Sequence, residues 1–480
     1  MRRAGILMPV FTLPSRFGCG SFGKEAMKFI DLSSEAGLKI WQILPLNPVG
    51  DDNSPYACYS SYAIDDIYIS LDRLYEKGLI KKAPSFHRRK KRVDFQSVRK
   101  FREPYLRQAY RNFKPDQNYA VFAYQDWAKN YAMYRAFKKV NEGKCWNDWQ
   151  DDMKWQPEKQ ELSLKPYEDE ILYQLFLQYE AYLEWKEVKQ YANDHDIEIM
   201  GDIPFYVGLD SSDVWSSKKN FLLDEDGRPS FIAGVPPDYF SATGQRWGNP
   251  IYDWEYMKKD GFQFWIERLS YTQRLFDIVR VDHFRAFDTY WKIPSSCPTA
   301  IEGEWIEAPG YELFDTLKEK NPEMEIIAED LGLLRPEVYT LRDHYDFRGM
   351  RIIQFSWNSD GMNKDKEHLI VYTGTHDNVP IDAWYHSFSN HERRRMRSCL
   401  KNMGYKEHSY VSNVIQYSLD SYADTAIIPF GDWLHKGLSS RINQPGTVSN
   451  KNWTYRILDY SEYRKNIKNI KNMIEKSKRA

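Results

Sequence analysis

Short apolar runs, many rich in β-branched residues, recur along the chain at 5–8, 38–44, 198–202, 278–282, 326–329, 351–355, 371–373 and 426–429. Runs this brief, without polar alternation, predict strands buried on both faces. Between several of them the apolar positions fall at helical spacing, as at 262–275 and 336–342. Strands alternating with helices predict βα units and a parallel sheet. Eight such strands predict an α/β fold of the (β/α)8, or TIM-barrel, type. A doubly wound open sheet also fits the periodicity, but no glycine-rich dinucleotide or phosphate loop follows the first strand.

The intervals are uneven: about 150 residues separate the second and third runs and about 75 the third and fourth, and loops that long carry structure of their own. Residues 71–165 mix charged and aromatic positions at helical spacing and are expected to form a mostly helical subdomain inserted at the barrel rim. Residues 203–260 are expected to form a second inserted loop region at the active face. The whole of 1–480 is then one catalytic barrel with insertions at its C-terminal face. The terminal stretch 463–478, with Ile467, Ile470 and Ile474 on one face, predicts a helix docked on the barrel. The basic run at 87–92 has no interleaved aromatics and reads as a solvated loop.

Charge narrows the partners. With 67 basic against 68 acidic side chains the net charge is −1, which offers no general attraction for nucleic acid or an anionic membrane. Five scattered cysteines without a CxxC pair argue against a disulfide framework and a zinc site, and fit reduced thiols in the cytoplasm. Pro9 interrupts the only apolar stretch near the N-terminus, so no signal peptide is expected, and no later segment approaches membrane-spanning length. Aromatic residues make up 16% of the chain, more than a core alone calls for. Rings stack on the C–H faces of neutral amphipathic ligands such as sugars.

Candidate chemistry sits where the runs stop. The third ends at Asp202, the fourth at Asp282 and the fifth at Glu329, while the seventh leads into Asp377. In an α/β barrel these strand ends open on one face, so four carboxylates converge on one cleft. Singly, each could be a helix cap or an ion-pair partner. Together, with Arg280, His283, Arg285, His376 and Asn378 beside them, they suit glycosyl transfer. A retaining glycosidase needs one carboxylate as nucleophile and another as acid/base. A metal site is the competing reading, but His283 and His376 lack the i, i+4 spacing of a zinc helix.

The blocks SPY (54–56), GDIPFYV (201–207), GVPPDYFSATGQRWGNPIY (234–252), RVDHFRAF (280–287), AEDLG (328–332), GTHDN (374–378) and PGT…NW (445–453) resemble, in order, those of 4-α-glucanotransferases of the amylomaltase type, within the α-amylase superfamily. The resemblance runs nearly end to end. It implies that Asp282 is the nucleophile, Glu329 the general acid/base and Asp377 the third carboxylate. It implies further that Tyr56, Asp202, Tyr239, Phe240, Gln245, Trp247, Arg280 and His376 bind substrate, with Asp202 alternatively organising Arg280. Arg280 is expected to keep Asp282 ionised. Maltooligosaccharides and α-1,4-glucans are the implied partners, no cofactor or metal is implied, and the oligomeric state is open. Three positions depart from the pattern: Ala286 in place of the common Gly, Val379-Pro380 in place of Asp-Thr, and Gly431 in place of Gln. An α-amylase-type hydrolase, an inactive glucan-binding protein and a metal-dependent hydrolase remain the alternatives.

Overall fold

Each of the eight apolar runs becomes a strand of one parallel sheet. The strands are β1 (Arg3–Leu7), β2 (Ile40–Gln42), β3 (Glu198–Ile203), β4 (Ile278–Val281), β5 (Glu325–Ala328), β6 (Gly349–Ile352), β7 (Leu369–Tyr372) and β8 (Thr425–Pro429). The structure, a computed structural model, describes residues 2–50, 52–86, 90–237, 241–357 and 368–479. Pairing runs β6-β7-β8-β1-β2-β3-β4-β5. The last gap closes through the parallel bridge of Ile327 with Arg348, where Ala328 N–H donates to Arg348 C=O at 2.8 Å. The sheet is therefore a barrel, not an open doubly wound sheet. Its strands are buried on both faces by branched side chains such as Ile6, Ile40, Ile278 and Ile427, which is why they read as unbroken apolar runs.

Boundaries shift by one or two residues at several strands, and one shift matters at the site. The sixth run, read as 351–355, is a strand only from Gly349 to Ile352; a short helix, Ile353–Ser356, follows at once. That early turn leaves Phe355 67% exposed at the barrel mouth.

Between β2 and β3 lie the helices Phe95–Asn112, Gln117–Ala123 and Asp126–Val140, then the 27-residue helix Glu168–Asp194, which leads into β3. This long helix buries apolar residues all round, including Phe176, Leu177, Trp185 and Val188, because the other helices cover one side and the barrel the other. Its Glu184 is fully buried and accepts from Ser70 N–H at 2.7 Å, while its second oxygen has no partner among the described residues. Burial pushes that carboxyl from 4.5 up to about 8. A folded-state pKa above the unfolded one means that the native chain holds a proton the unfolded chain gives up. Stability from this group is complete below pH 4.5 and is lost as pH rises through about 8. Glu184→Gln should therefore flatten the decline in unfolding free energy between pH 5 and 8, by on the order of a few kcal/mol. Denaturant titrations at both pH values check this, and parallel curves for variant and wild type would refute it.

A second sheet was not foreseen. Strands Phe231–Val235 and Gln245–Pro250, from the excursion after β3, pair antiparallel with each other. Thr289–Pro294 and Glu304–Glu307, from the excursion after β4, complete the order Gln245–Pro250, Phe231–Val235, Thr289–Pro294, Glu304–Glu307. Gly234 is required there, since a Cβ at this position would stand 2.1 Å from Gln245 C=O. This sheet holds the 245–250 strand beside the ends of β3 and β4. The terminal helix, Ser461–Lys476, docks Ile467, Ile470 and Ile474, and Tyr463 Oη meets Ser33 Oγ at 3.1 Å. Among the described residues no helix is long and apolar enough to cross a membrane.

Candidate active site

The C-terminal ends of the strands surround a cavity of about 490 Å³ lined by Tyr56, Trp247, Arg280, Asp282, Glu329 and Asp377 among others. Strand geometry places the first pair. Arg280 and Asp282 are two residues apart, so their side chains leave β4 on the same face, and Arg280 Nη2 donates to Asp282 Oδ1 at 3.0 Å. The same guanidinium donates through Nη1 to both oxygens of Asp202 at 2.7 Å. Asp202, at the end of β3, is 1% exposed and also accepts from Tyr56 Oη at 2.7 Å. It stands behind Arg280 and Tyr56 rather than on the cavity wall. The preceding Gly201 is glycine because a Cβ would collide with the Phe276 ring at 2.0 Å.

From Tyr56 the contacts continue. Its ring stacks on His376 with centroids 5.2 Å apart, and Trp453 covers His376 at 5.7 Å. His376 Nε2 lies 3.4 Å from Asp377 Oδ1, which also accepts from Asn443 Nδ2 at 2.7 Å. A chain of polar groups thus runs from Asp282 through Arg280, Asp202, Tyr56 and His376 to Asp377. It fixes two cavity carboxylates relative to one another through Arg280, Asp202 and His376, which are buried, and Tyr56, which is partly so.

Glu329 is held differently. Its Oε2 accepts from the backbone N–H of His283 at 2.8 Å, the residue directly after Asp282. His283 adopts φ 53°, the left-handed region that non-glycine residues seldom occupy. Such conformations gather at functional sites, where the surroundings hold them. Here the turn aims an N–H at Glu329 and sets the His283 ring edge-on to Trp247, centroids 5.0 Å apart.

The electrostatics separate the carboxylates. Burial, with the charge of Asp282 next, raises Glu329 from 4.5 to about 8, so it is protonated at neutral pH. Asp282 is also raised above its ordinary value, by burial first; Arg280 pulls it down but does not offset burial together with Asp202 and Asp377. The expectation that Arg280 keeps Asp282 ionised thus holds as a contact, while the net shift is upward. Burial and Arg285 bring the His283 imidazole down to about 4, leaving it neutral.

Of the remaining expected residues, Gln245 lies at the head of its strand and accepts from Trp247 Nε1 at 3.2 Å. Tyr239 and Phe240 lie outside the described residues. Several cavity residues had not been singled out: Tyr206, Asn249, Leu331, Phe355 and Pro445 line it, and Asn443 and Trp453 support it from behind. Pro445 and Trp453 belong to the PGT…NW block, Tyr206 to GDIPFYV, Asn249 to GVPPDYFSATGQRWGNPIY and Leu331 to AEDLG, so a signal was present for those five. Phe355 was hidden inside a misplaced strand.

Comparison with known proteins bears on family and fold. The family model described as 4-alpha-glucanotransferase matches residues 8–461. The 4-alpha-glucanotransferase of Synechocystis is 42% identical, over 95% of this chain and 94% of that protein. That of Thermus thermophilus is 39% identical, over 95% of both. Among solved structures, the amylomaltase of Streptococcus agalactiae in complex with acarbose superposes with a TM-score of 0.94 at 34% identity, covering all of both chains. The chain belongs to the 4-alpha-glucanotransferase (amylomaltase) family.

Proposed function

We propose that this 4-α-glucanotransferase uses Asp282 as nucleophile, Glu329 as general acid/base and Asp377 as the third carboxylate of a retaining double displacement. The observation that carries the assignment is the pairing of two carboxyl groups with unlike environments. Glu329 is held protonated beside Asp282, whose Oδ1 is bound by a guanidinium. Carboxyl groups driven apart in this way divide into acid and nucleophile. In the first step Glu329 gives its proton to the glycosidic oxygen as Asp282 attacks the anomeric carbon, forming a glucosyl ester and releasing the reducing-end segment. In the second, Glu329, now a carboxylate, takes the proton of an acceptor 4-hydroxyl as that oxygen displaces Asp282. Asp377, fixed by Asn443 and His376, is placed to bind hydroxyls of the reacting ring. Asp202 and His376 act by holding Arg280, Tyr56 and Asp377 in register.

Transfer in place of hydrolysis rests on excluding water from the ester. Tyr56, Tyr206, Trp247 and Phe355 give the cavity aromatic walls. The 203–260 excursion, with Gln245 and Trp247, is assigned as the lid over the acceptor side; for Tyr239 and Phe240 that assignment rests on the sequence block alone. Residues 71–165 are assigned as an inserted helical subdomain of a single catalytic unit. Maltooligosaccharides are the proposed donors and acceptors. Five cysteines, none in a disulfide among the described residues, favour the cytoplasm.

The test is incubation with maltotriose in EDTA, with products separated by chain length. Longer oligosaccharides together with glucose are expected. Maltose and glucose alone would make the enzyme a hydrolase, and loss of all turnover in EDTA would require a metal. Asn443→Ala should lower kcat on maltotriose about tenfold with little change in KM, because it removes one hydrogen bond to Asp377. An unchanged kcat would detach Asp377 from the reaction.

A further inference from the structure

A second, larger cleft of about 1060 Å³ shares no lining residue with the catalytic cavity. It lies between residues Pro48, Val49, Gly50 and Asn53, the helices Phe95–Asn112 and Asp126–Val140, and residues 450–454. Its lining carries eight lysines and arginines against five carboxylates, in a chain whose net charge is −1. Most of these cations are neutralised locally. Arg99 is held by Asp65 and Asp66, and Arg107 and Lys139 share Glu170.

Three are not. Arg135 lies over the Tyr59 ring at 5.2 Å, and no described residue accepts a hydrogen bond from its guanidinium. Among the described residues Arg92 donates only to Lys451 C=O and Thr454 Oγ1, and the Lys451 ammonium has no partner there. Lys138, whose Nζ stands 4.8 Å from the same Tyr59 ring, is paired with Asp210. Lys90 and Arg92 come from the basic run expected to be a solvated loop. They are exposed or half-exposed outside any helix or strand, as expected, and they also line this cleft, while the run's first three residues lie outside the described residues.

A concave wall with unmatched guanidinium groups concentrates field and recognises compact, multiply charged oxyanions. A phosphate monoester supplies close to two charges and three acceptor oxygens. The same lining presents the amides of Asn53 and Gln96 beside tyrosines, a surface suited to sugar hydroxyls. We propose that this cleft binds the phosphate monoester of a sugar, with Arg135, Arg92 and Lys451 meeting the phosphate.

The cleft is connected to the chemistry through the chain itself. Asn53 leads into Tyr56, and residues 450–454 include Trp453, which covers His376. An occupant held between Arg135 and Arg92 would join the helical layer to the loop that stabilises Asp377.

Calorimetric titration at low ionic strength tests the proposal, using glucose 6-phosphate, a 6-phosphorylated maltotetraose, inorganic phosphate and glucose. Both sugar phosphates are expected to bind more tightly than inorganic phosphate, with affinity falling steeply as salt is added. Arg135→Gln should weaken them by about tenfold, and Arg92→Gln combined with Lys451→Gln by a similar factor. Disproportionation of maltotriose without phosphate should be unchanged in these variants, showing an intact fold. Tighter binding of the phosphorylated maltotetraose would identify a phosphate carried on a glucan, and tighter binding of glucose 6-phosphate a free sugar phosphate. Either supports the site. No binding up to about 10 mM, inorganic phosphate binding as well as the esters, or equal affinity in wild type and variants would overturn it.

Discussion

Asp282→Asn is expected to lower maltotriose disproportionation by roughly 10⁴-fold or more, since no other group is placed to form the glucosyl ester. The loss should come without loss of fold. Asp282 sits in surroundings that already raise its pKa, so replacing it with a neutral isostere removes a desolvation cost. Arg280 keeps both oxygens of Asp202 at 2.7 Å, so no buried guanidinium is orphaned. The expected result is an inactive protein whose thermal midpoint equals or slightly exceeds that of wild type. A variant retaining a tenth of the activity would remove Asp282 from the nucleophile's place. A collapse of stability would instead make it chiefly an anchor for Arg280.

The barrel was legible because each strand is buried on both faces and short, so the apolar run and the strand nearly coincide. Where that condition fails, reading fails with it. The strand Gln245–Pro250 is half exposed, alternates poorly and contains Gly248 and Pro250, so its sequence looks like a loop until Phe231–Val235 pairs with it. Glu304–Glu307 is almost wholly solvent-facing for the same reason. At the site, the residues ending strands were legible because chemistry at a barrel mouth must come from those positions. Asn443 was not: its contact with Asp377 spans 66 positions in sequence, and nothing local marks an asparagine as the support of a distant carboxylate. Nor could sequence show that Asp202 is enclosed, since that follows from Arg280 and Tyr56 closing over it from different strands and loops. The protonation of Glu329 was equally hidden, because it is caused by burial beside Asp282 and not by residue type.

That protonation yields the second large effect. Glu329→Gln should lower kcat/KM on maltotriose by about 10³-fold, the loss of general acid assistance to a poor leaving group. A glucosyl fluoride donor needs no such proton. With it, the variant should still form the ester but resolve it slowly, because the acceptor hydroxyl has lost its base. Intact-protein mass measurement should then show one glucosyl unit retained on the enzyme and mapped to Asp282, a species wild type turns over. The pH dependence of wild type supplies an independent check. The first step needs Glu329 protonated and Asp282 ionised, so kcat/KM should fall as pH rises through about 8. It should fall again on the acid side, above the ordinary carboxylate range, because Asp282 is raised as well. Since the two groups titrate against one another, these limbs belong to the pair. Asp282→Asn removes the charge that, after burial, contributes most to raising Glu329, so Glu329 should titrate at lower pH in that variant. A basic limb that stays in place in Glu329→Gln would assign the proton to another group, and with it the role of acid.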